Sequence, residues 1–315
     1  MTNTTTKVKR TSLDRKMDKI RAAEESGKLS GKMTNRTLRK LTSNKLAVFG
    51  VLLFVAICVL CFAAPLFTSY SPTAISLRDK IAPPSAEHIF GTDQMGRDIW
   101  SRMLYGGRIS IIVGLGSALG AALLGVTLGL FVGYKGGWLD KIIMKIADIF
   151  MSIPQMVLII IIVALIGQSM ENLIVIFILT GWPSMYRMAR SQVLSLKEEE
   201  FVQALRAFGI SDLKIAFKHM LPNAIGPIVV NITLSTAMFI LQEASLSVLG
   251  YGVPQEIATW GNIINVITNS GTIRFDWLGY WWMWLPCSIM LILFVLSINF
   301  IGDGLRDASD PTQIG

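Results

Sequence analysis

Long uncharged runs alternate with short charged stretches along this chain. Runs at 46–67, 109–134, 149–170, 221–242 and 277–302 hold 22 to 26 residues each without Asp, Glu, Lys or Arg. A helix needs about 20 apolar residues to cross the hydrocarbon core, so each run predicts a span. A sixth run, 172–186, has only 15 residues. It spans as 172–190 if Arg187 and Arg190 snorkel to the interface. The pattern therefore predicts an all-α integral membrane fold of six transmembrane helices, at about 46–67, 109–134, 149–170, 172–190, 221–250 and 277–302.

Composition agrees. Only 16% of the 315 residues are charged, against roughly 25% in soluble domains, and the mean hydropathy is +0.54. Residues 1–45 carry 13 Lys+Arg against 4 Asp+Glu, and the rest is nearly neutral. A basic arm directly before an apolar run predicts a cytoplasmic N-terminus rather than a nucleic-acid surface. The arm is too long and polar for a signal peptide, and an exposed helix is expected around 13–26. Residues 46–315 then form the transmembrane domain, N-in and C-in. Its loop 135–148 faces inside with Lys135, Lys141 and Lys145, as does 187–220. Segments 68–108 and 251–276 face outside. The first of these holds Arg78, Lys80, Arg97, Arg102 and Arg108 against that assignment, nearly balanced by four acids.

Ser117, Ala121, Gly125, Gly129 and Gly133 recur every four residues. They line one helix face and predict close backbone packing with a second helix, in this chain or another. Catalytic chemistry is not legible. No P-loop motif occurs. Cys58 and Cys61 fall in mid-span, where a CxxC reads as small apolar residues, and His88 and His219 fall on opposite sides of the membrane. No metal site is expected.

The stretch 195–223, SLKEEEFVQALRAFGISDLKIAFKHMLPN, is too long for a turn. Phe201, Ala204, Leu205 and Phe208 follow an i, i+3, i+4, i+7 stripe. Gly209 suits a left-handed helix stop. Ser211 is placed to cap a second helix, with Asp212 at its start, and Pro222 marks entry into the fifth span. Lys197-Glu198-Glu199-Glu200 would be repelled by anionic lipid, so the object reads as a protein-docking element rather than a helix lying on lipid.

Gln203-Ala204-Leu205-Arg206-Ala207-Phe208-Gly209, followed by Leu221-Pro222, resembles the E-A-A-x-x-x-G loop of ABC importer permeases. Gln203 and Leu205 depart from it. Residues 91–114, GTDQMGRDIWSRMLYGGRISIIVG, resemble the entry segment of dipeptide and oligopeptide permeases. Glu243–Gly250, Trp260-Gly261 and the stretch from Asn299 to Pro311 are similar to the same family, in its C-type subunit. The resemblance implies a type I importer architecture and a homologous second permease subunit. It implies two P-loop ATPase subunits that hold ATP and Mg, an extracytoplasmic peptide-binding protein, and a bacterial cell membrane around the assembly. No cofactor is implied for this chain. Loop 191–222 is then the coupling loop, with Phe201, Ala204 and Gly209 in or near the ATPase groove and Glu200 and Asp212 at its rim.

Asp93, Arg97, Asp98 and Arg102 have two readings: a self-paired cap on the second span, or an external gate and binding-protein contact. Asp148 and Glu243 read as hydrogen-bond anchors, and 251–276 as a partly re-entrant external segment near the pathway. A permease for nickel or another small solute is the alternative within the family. An ion-coupled secondary transporter is the alternative outside it, and predicts buried acid or base pairs at the midplane.

Overall fold

The computed structural model describes residues 41–265 and 276–309. Most of the basic arm with its expected helix at 13–26, part of 251–276, and Asp310-Pro311 lie outside the described residues. Within them the regular elements are helices, with one isolated bridge between Thr92 and Asp98.

Helix α1, Lys45–Phe62, opens at Asn44, whose side chain accepts from Leu46 N and Ala47 N at 3.0 and 3.2 Å. A short turn, Ala64–Phe67, follows. Helix α2, Ile99–Lys135, is 37 residues long and begins ten residues before the predicted span. Its N-cap is Asp98, which accepts from Ser101 N at 2.7 Å. The charges that ended the apolar run do not end the helix, because each finds a partner. Arg108 donates to the Cys61 and Phe62 carbonyls at the end of α1, at 2.6 and 2.9 Å, satisfying acceptors that a helix C-terminus leaves open.

The third predicted span is corrected. It is two helices, α3 (Gly137–Ser152) and α4 (Gln155–Ile166), bent by 89°. Pro154 lacks the N–H that would continue the ladder, and Ile153 before it is extended, as a residue preceding proline prefers. Helix α5, Met170–Lys197, is one continuous helix of 28 residues and runs past the predicted end at 190. Short α6, Glu200–Ala207, precedes α7, Leu221–Val248. A one-turn helix α8, Trp260–Ile264, and α9, Leu285–Ser309, complete the described chain. The last span therefore begins at Leu285 rather than 277, after a 3₁₀ turn at Trp281–Met283. Among the described residues four helices are long and apolar enough to cross a membrane, or five if the bent pair is one span, and α5 is not among them. A sixth span rests on α5, whose Trp182, Tyr186 and Arg190 are covered by protein rather than lipid.

Helix α2 is the centre of the bundle. It contributes Val113, Val126 and Leu130 to a core shared with α4, α5 and α7. It contributes Met103 and Ile111 to a second core with α1, α7, α8 and α9. Trp260, fully buried, packs on Phe294 at 5.3 Å and donates to the Met103 carbonyl at 3.1 Å. Of the segment 251–276, the described turn Trp260–Ile264 packs into the bundle.

The small-residue ladder finds its partner within the chain. All five positions are buried, and they face α5. A Cβ on Gly125 would lie 2.6 Å from both Met185 Cβ and the Trp182 carbonyl oxygen. On Gly129 it would lie 2.7 Å from Ala189 Cβ, and on Gly133 3.1 Å from Arg190 Cγ. Gly125→Ala must push the two backbones apart, and we expect it to destabilise the protein by about 1–3 kcal/mol. Gly116→Ala meets nothing within 4 Å and should be neutral. Thermal unfolding of the two variants in detergent checks the difference.

Candidate coupling site

The segment after α5 is built as a rigid corner. Helix α6 ends in a Schellman motif: Gly209 N donates to the Arg206 carbonyl at 2.9 Å and Ile210 N to the Leu205 carbonyl at 3.2 Å. Gly209 has φ +72°, a conformation that costs a side chain and suits glycine. The motif's hydrophobic contact joins Leu205 and Ile210, both packed on the core beneath.

Helix α6 has two faces. Val202 is fully buried and Leu205 is turned partly inward. Phe201, Ala204 and Phe208 form the outward face, with Phe208 73% exposed. The predicted stripe is therefore divided, because Val202 and not Phe201 or Phe208 leads the buried side. Leu205 anchors the corner, while Glu200, Gln203, Gly209, Asp212 and Pro222 are exposed and Leu221 is half-buried. Leu213 and Phe217, 55% and 38% exposed, extend the apolar surface past the corner.

Two further corrections concern the second half. Ser211 is extended but makes no side-chain capping bond. Pro222 lies in the first turn of α7, at the expected entry into the fifth span, but the helical path begins before it. A helical turn at Asp212–Lys214, a π-helical stretch at Ile215–Met220 and α7 form one continuous rod, Asp212–Val248. The wider π turn sits just before the proline and absorbs its ring and missing N–H. Ile215, Ala216 and Met220 bury the inner side of this turn.

A tyrosine pins the corner to α2. Tyr134, 3% exposed, lies at the end of α2. Its hydroxyl accepts from Arg206 Nε at 2.9 Å, and its carbonyl accepts from Lys197 Nζ at 2.9 Å. Both cations also lie over its ring, at 5.0 and 5.5 Å from the centroid. A cavity of about 200 Å³ beside it is lined by Phe131, Tyr134, Asp212 and Leu213, among others.

On the opposite end of α2 the four charges Asp93, Arg97, Asp98 and Arg102 are brought together. Asp93 accepts from Met95 N, Arg97 N and Arg97 Nε at 2.8, 3.0 and 2.7 Å, and Arg102 Nε lies 3.6 Å from its carboxylate. Arg102, 3% exposed, donates to the Pro72 carbonyl at 3.0 Å. Asp98 caps α2 and meets His88 Nδ1 at 2.9 Å. These contacts close the segment before α2 on itself. Glu243 is fully buried and accepts from Ser110 and Ser247 hydroxyls at 3.1 and 3.0 Å, joining α2 to α7. Asp148 is paired with Arg187 at the surface between α3 and α5.

Residues 125–314 match the family of binding-protein-dependent transport system inner membrane components. The chain belongs to this family. Residues 32–84 match the N-terminal TM domain of oligopeptide transport permease C. The dipeptide transport system permease protein DppC of Alkalihalophilus pseudofirmus is 41% identical over 87% of this chain and 88% of its own length. The oligopeptide transport system permease protein OppC of Bacillus subtilis is 37% identical over 92% and 93%. DppC of Bacillus subtilis is 38% identical over 93% and 90%.

Sequence reasoning about this permease missed Tyr134, Lys197 and Arg206 as a group, since they are 63 and 72 positions apart. It also missed Asp140, which accepts from Arg190 Nε and Nη2 at 2.7 and 2.6 Å and from the Tyr186 hydroxyl at 2.9 Å. The spacing of Tyr186 and Arg190, one turn apart on α5, was the available signal. Arg206→Ala removes one hydrogen bond and one cation–π contact, worth about 1 kcal/mol together at this partly exposed site. Amide exchange across 202–208 should then speed up about fivefold. Arg97→Glu sets two carboxylates side by side and should lower the yield of assembled protein. Normal assembly with lost transport would instead assign Arg97 to an external gate.

Proposed function

We propose that this chain is the C-type permease subunit of an ATP-driven importer of dipeptides or oligopeptides in a bacterial cell membrane. A homologous permease supplies the other half of the pathway. Two P-loop ATPase subunits hold ATP and Mg and dock at 195–223, and an extracytoplasmic binding protein delivers peptide. The names of the relatives support the substrate class. The observation that carries the coupling role is the outward stripe of Phe201, Ala204 and Phe208 on a corner that is rigidly tied inward.

The mechanism follows from how that corner is held. Closure of the ATPase pair moves whatever is docked on it. A docked segment passes on motion only if it moves as a body. The Schellman motif stiffens the turn at Gly209, and Tyr134 fastens α6 to the end of α2. Beyond the corner the rod Asp212–Val248 has no interruption, so displacement of its cytoplasmic end rocks α7 within the bundle. Glu200 and Asp212, both exposed beside the apolar stripe, would meet the polar rim of the ATPase groove. Apolar contact supplies affinity there, and the charges supply register.

Ala204→Asp puts a charge in the stripe, and Gly209→Arg strains the stop, where φ is positive although space is open. Both variants should reach the membrane in normal amount yet lose ATPase co-purification or ATP-dependent peptide uptake by about tenfold or more. Full uptake in both would overturn the coupling assignment. Reconstituted transport that proceeds without the ATPase chains would overturn the importer reading itself.

A further inference from the structure

A cavity of about 510 Å³ opens where α3 breaks into α4, walled by α5 and α7. Its volume falls within the roughly 300–1,000 Å³ of ordinary small-molecule sites. Its polar lining is Ser152, Gln155, Thr180, Ser184, Ser235 and Gln242, and no lining residue carries a charge. Gln242 Nε2 donates to Gln155 Oε1 at 3.1 Å, and Gln155 Nε2 donates to Thr180 Oγ1 at 3.4 Å. The Gln242 amide oxygen is buried with no partner. The remaining wall is aromatic and sulfur-bearing: Phe150, Met151, Met238 and Phe239.

The break has a physical consequence for what faces it. Residues 151–154 are exposed on the chain's surface, and the helix ends on either side leave backbone carbonyls and amides without helical partners. Hydrocarbon cannot hydrogen-bond such groups. Non-helical backbone at membrane depth is tolerated only where protein covers it or where it lines a water-filled cavity. A dry contact with a neighbouring subunit would leave the Gln242 oxygen short of a partner, at a cost of about 1–3 kcal/mol for a buried unpaired group. Water or a polar solute removes that cost.

We infer that the cavity at the helix break is this subunit's wall of the translocation path, and that its uncharged amides and hydroxyls take the main-chain amides of the passing peptide. The inference rests on the peptide-permease reading. Every peptide offers the same backbone N–H and C=O pattern, which Gln155 and Gln242 complement with a donor and an acceptor each. A charged lining would bind some side chains and repel others. Met and Phe supply apolar surface that adapts to varied side chains. The wall therefore binds peptides with little regard to sequence, and weakly enough for release.

Thiol labelling in the assembled transporter tests this. Cys61 and Cys287 are buried and Cys58 lies within α1, so wild-type protein gives the baseline. Ser184→Cys and Ser235→Cys place thiols in the wall. Leu123→Cys places one on the outer apolar face of α2, where Leu123 is 74% exposed. A membrane-impermeant methanethiosulfonate reacts with the thiolate, which forms in water and not in lipid. Both wall cysteines should react at least about tenfold faster than the α2 cysteine. An alanine tripeptide that the wild-type assembly imports, added with its binding protein, should slow them severalfold. Equal reactivity at all three positions, in variants that still assemble, would overturn the wall assignment. Fast labelling that the tripeptide leaves unchanged would overturn the contact with the peptide main chain. In either case ATP-dependent uptake by the wild-type assembly decides the peptide-permease reading separately.

Discussion

The backbone approach of α2 to α5 is the contact on which the rest of this molecule depends. Gly125 and Gly129 bring the backbone of α2 against that of α5, and Gly133 makes room for the Arg190 side chain. In lipid there is no hydrophobic gain from bringing helices together, so close packing supplies the association. The same contact fixes the axial register of the two helices. That register sets Tyr134 at the end of α2 beside Lys197 at the end of α5, and so gives Arg206 of α6 its seat. A shift of one turn, about 5.4 Å, would separate these groups and leave the corner at Gly209 without its pin.

The charged groups near the bundle are managed by pairing along the same helices. Asp140 of α3 takes two donors from Arg190 and one from Tyr186, so the carboxylate that enters with α3 is neutralised by α5. Gly133 packs on the aliphatic part of that same Arg190, linking the glycine ladder to the ion pair. Glu243 is handled differently, with two serine hydroxyls as donors, and the Ser110 that serves it also accepts from Trp260 N at 3.2 Å. One polar group thus ties α2, α7 and the plugged turn α8 together. The arginine-paired Asp140 keeps some exposure and the hydroxyl-held Glu243 has none, which matches the falling access to water.

These arrangements explain what was legible beforehand. The apolar runs located α1, α2, α7 and α9 because lipid contact demands uncharged residues over a fixed length. They misjudged the start of α2, since Asp98 is a cap and Arg102 and Arg108 are satisfied by carbonyls, none of which a count of charges detects. The same count treated 149–170 as one helix, because proline is apolar. Only the backbone rule for the residue before proline would have placed the bend at Ile153. The glycine in the coupling segment was legible as a stop because a positive φ has few residue solutions. The inner side of α6 was not, because Val202 and Leu205 are no more apolar than Phe201 and Phe208. What separates them is which side of the helix the rest of the chain lies on.

The coupling segment combines a stiff element with a seat rather than a hinge with a lever. Gly209 has open space around it, which could suggest a pivot. One Schellman bond, from Ile210 N to the Leu205 carbonyl, spans that residue, the other is donated by Gly209 itself, and Leu205 and Ile210 on either side both pack on the core. Bending there would break the spanning bond and pull Ile210 off the core. The yielding points must be where fewer bonds cross, and the break at Ile153-Pro154 is such a place, since no backbone helical bond spans it. In the proposed coupling role, force applied at Phe201 and Phe208 passes through the corner into α7 and through Tyr134 into α2. The joint that can give way, between α3 and α4, is the one that borders the polar cavity. In the proposed mechanism, stiffness at the corner and compliance at the helix break are two halves of one requirement, that motion imposed at the corner should change shape only at the break.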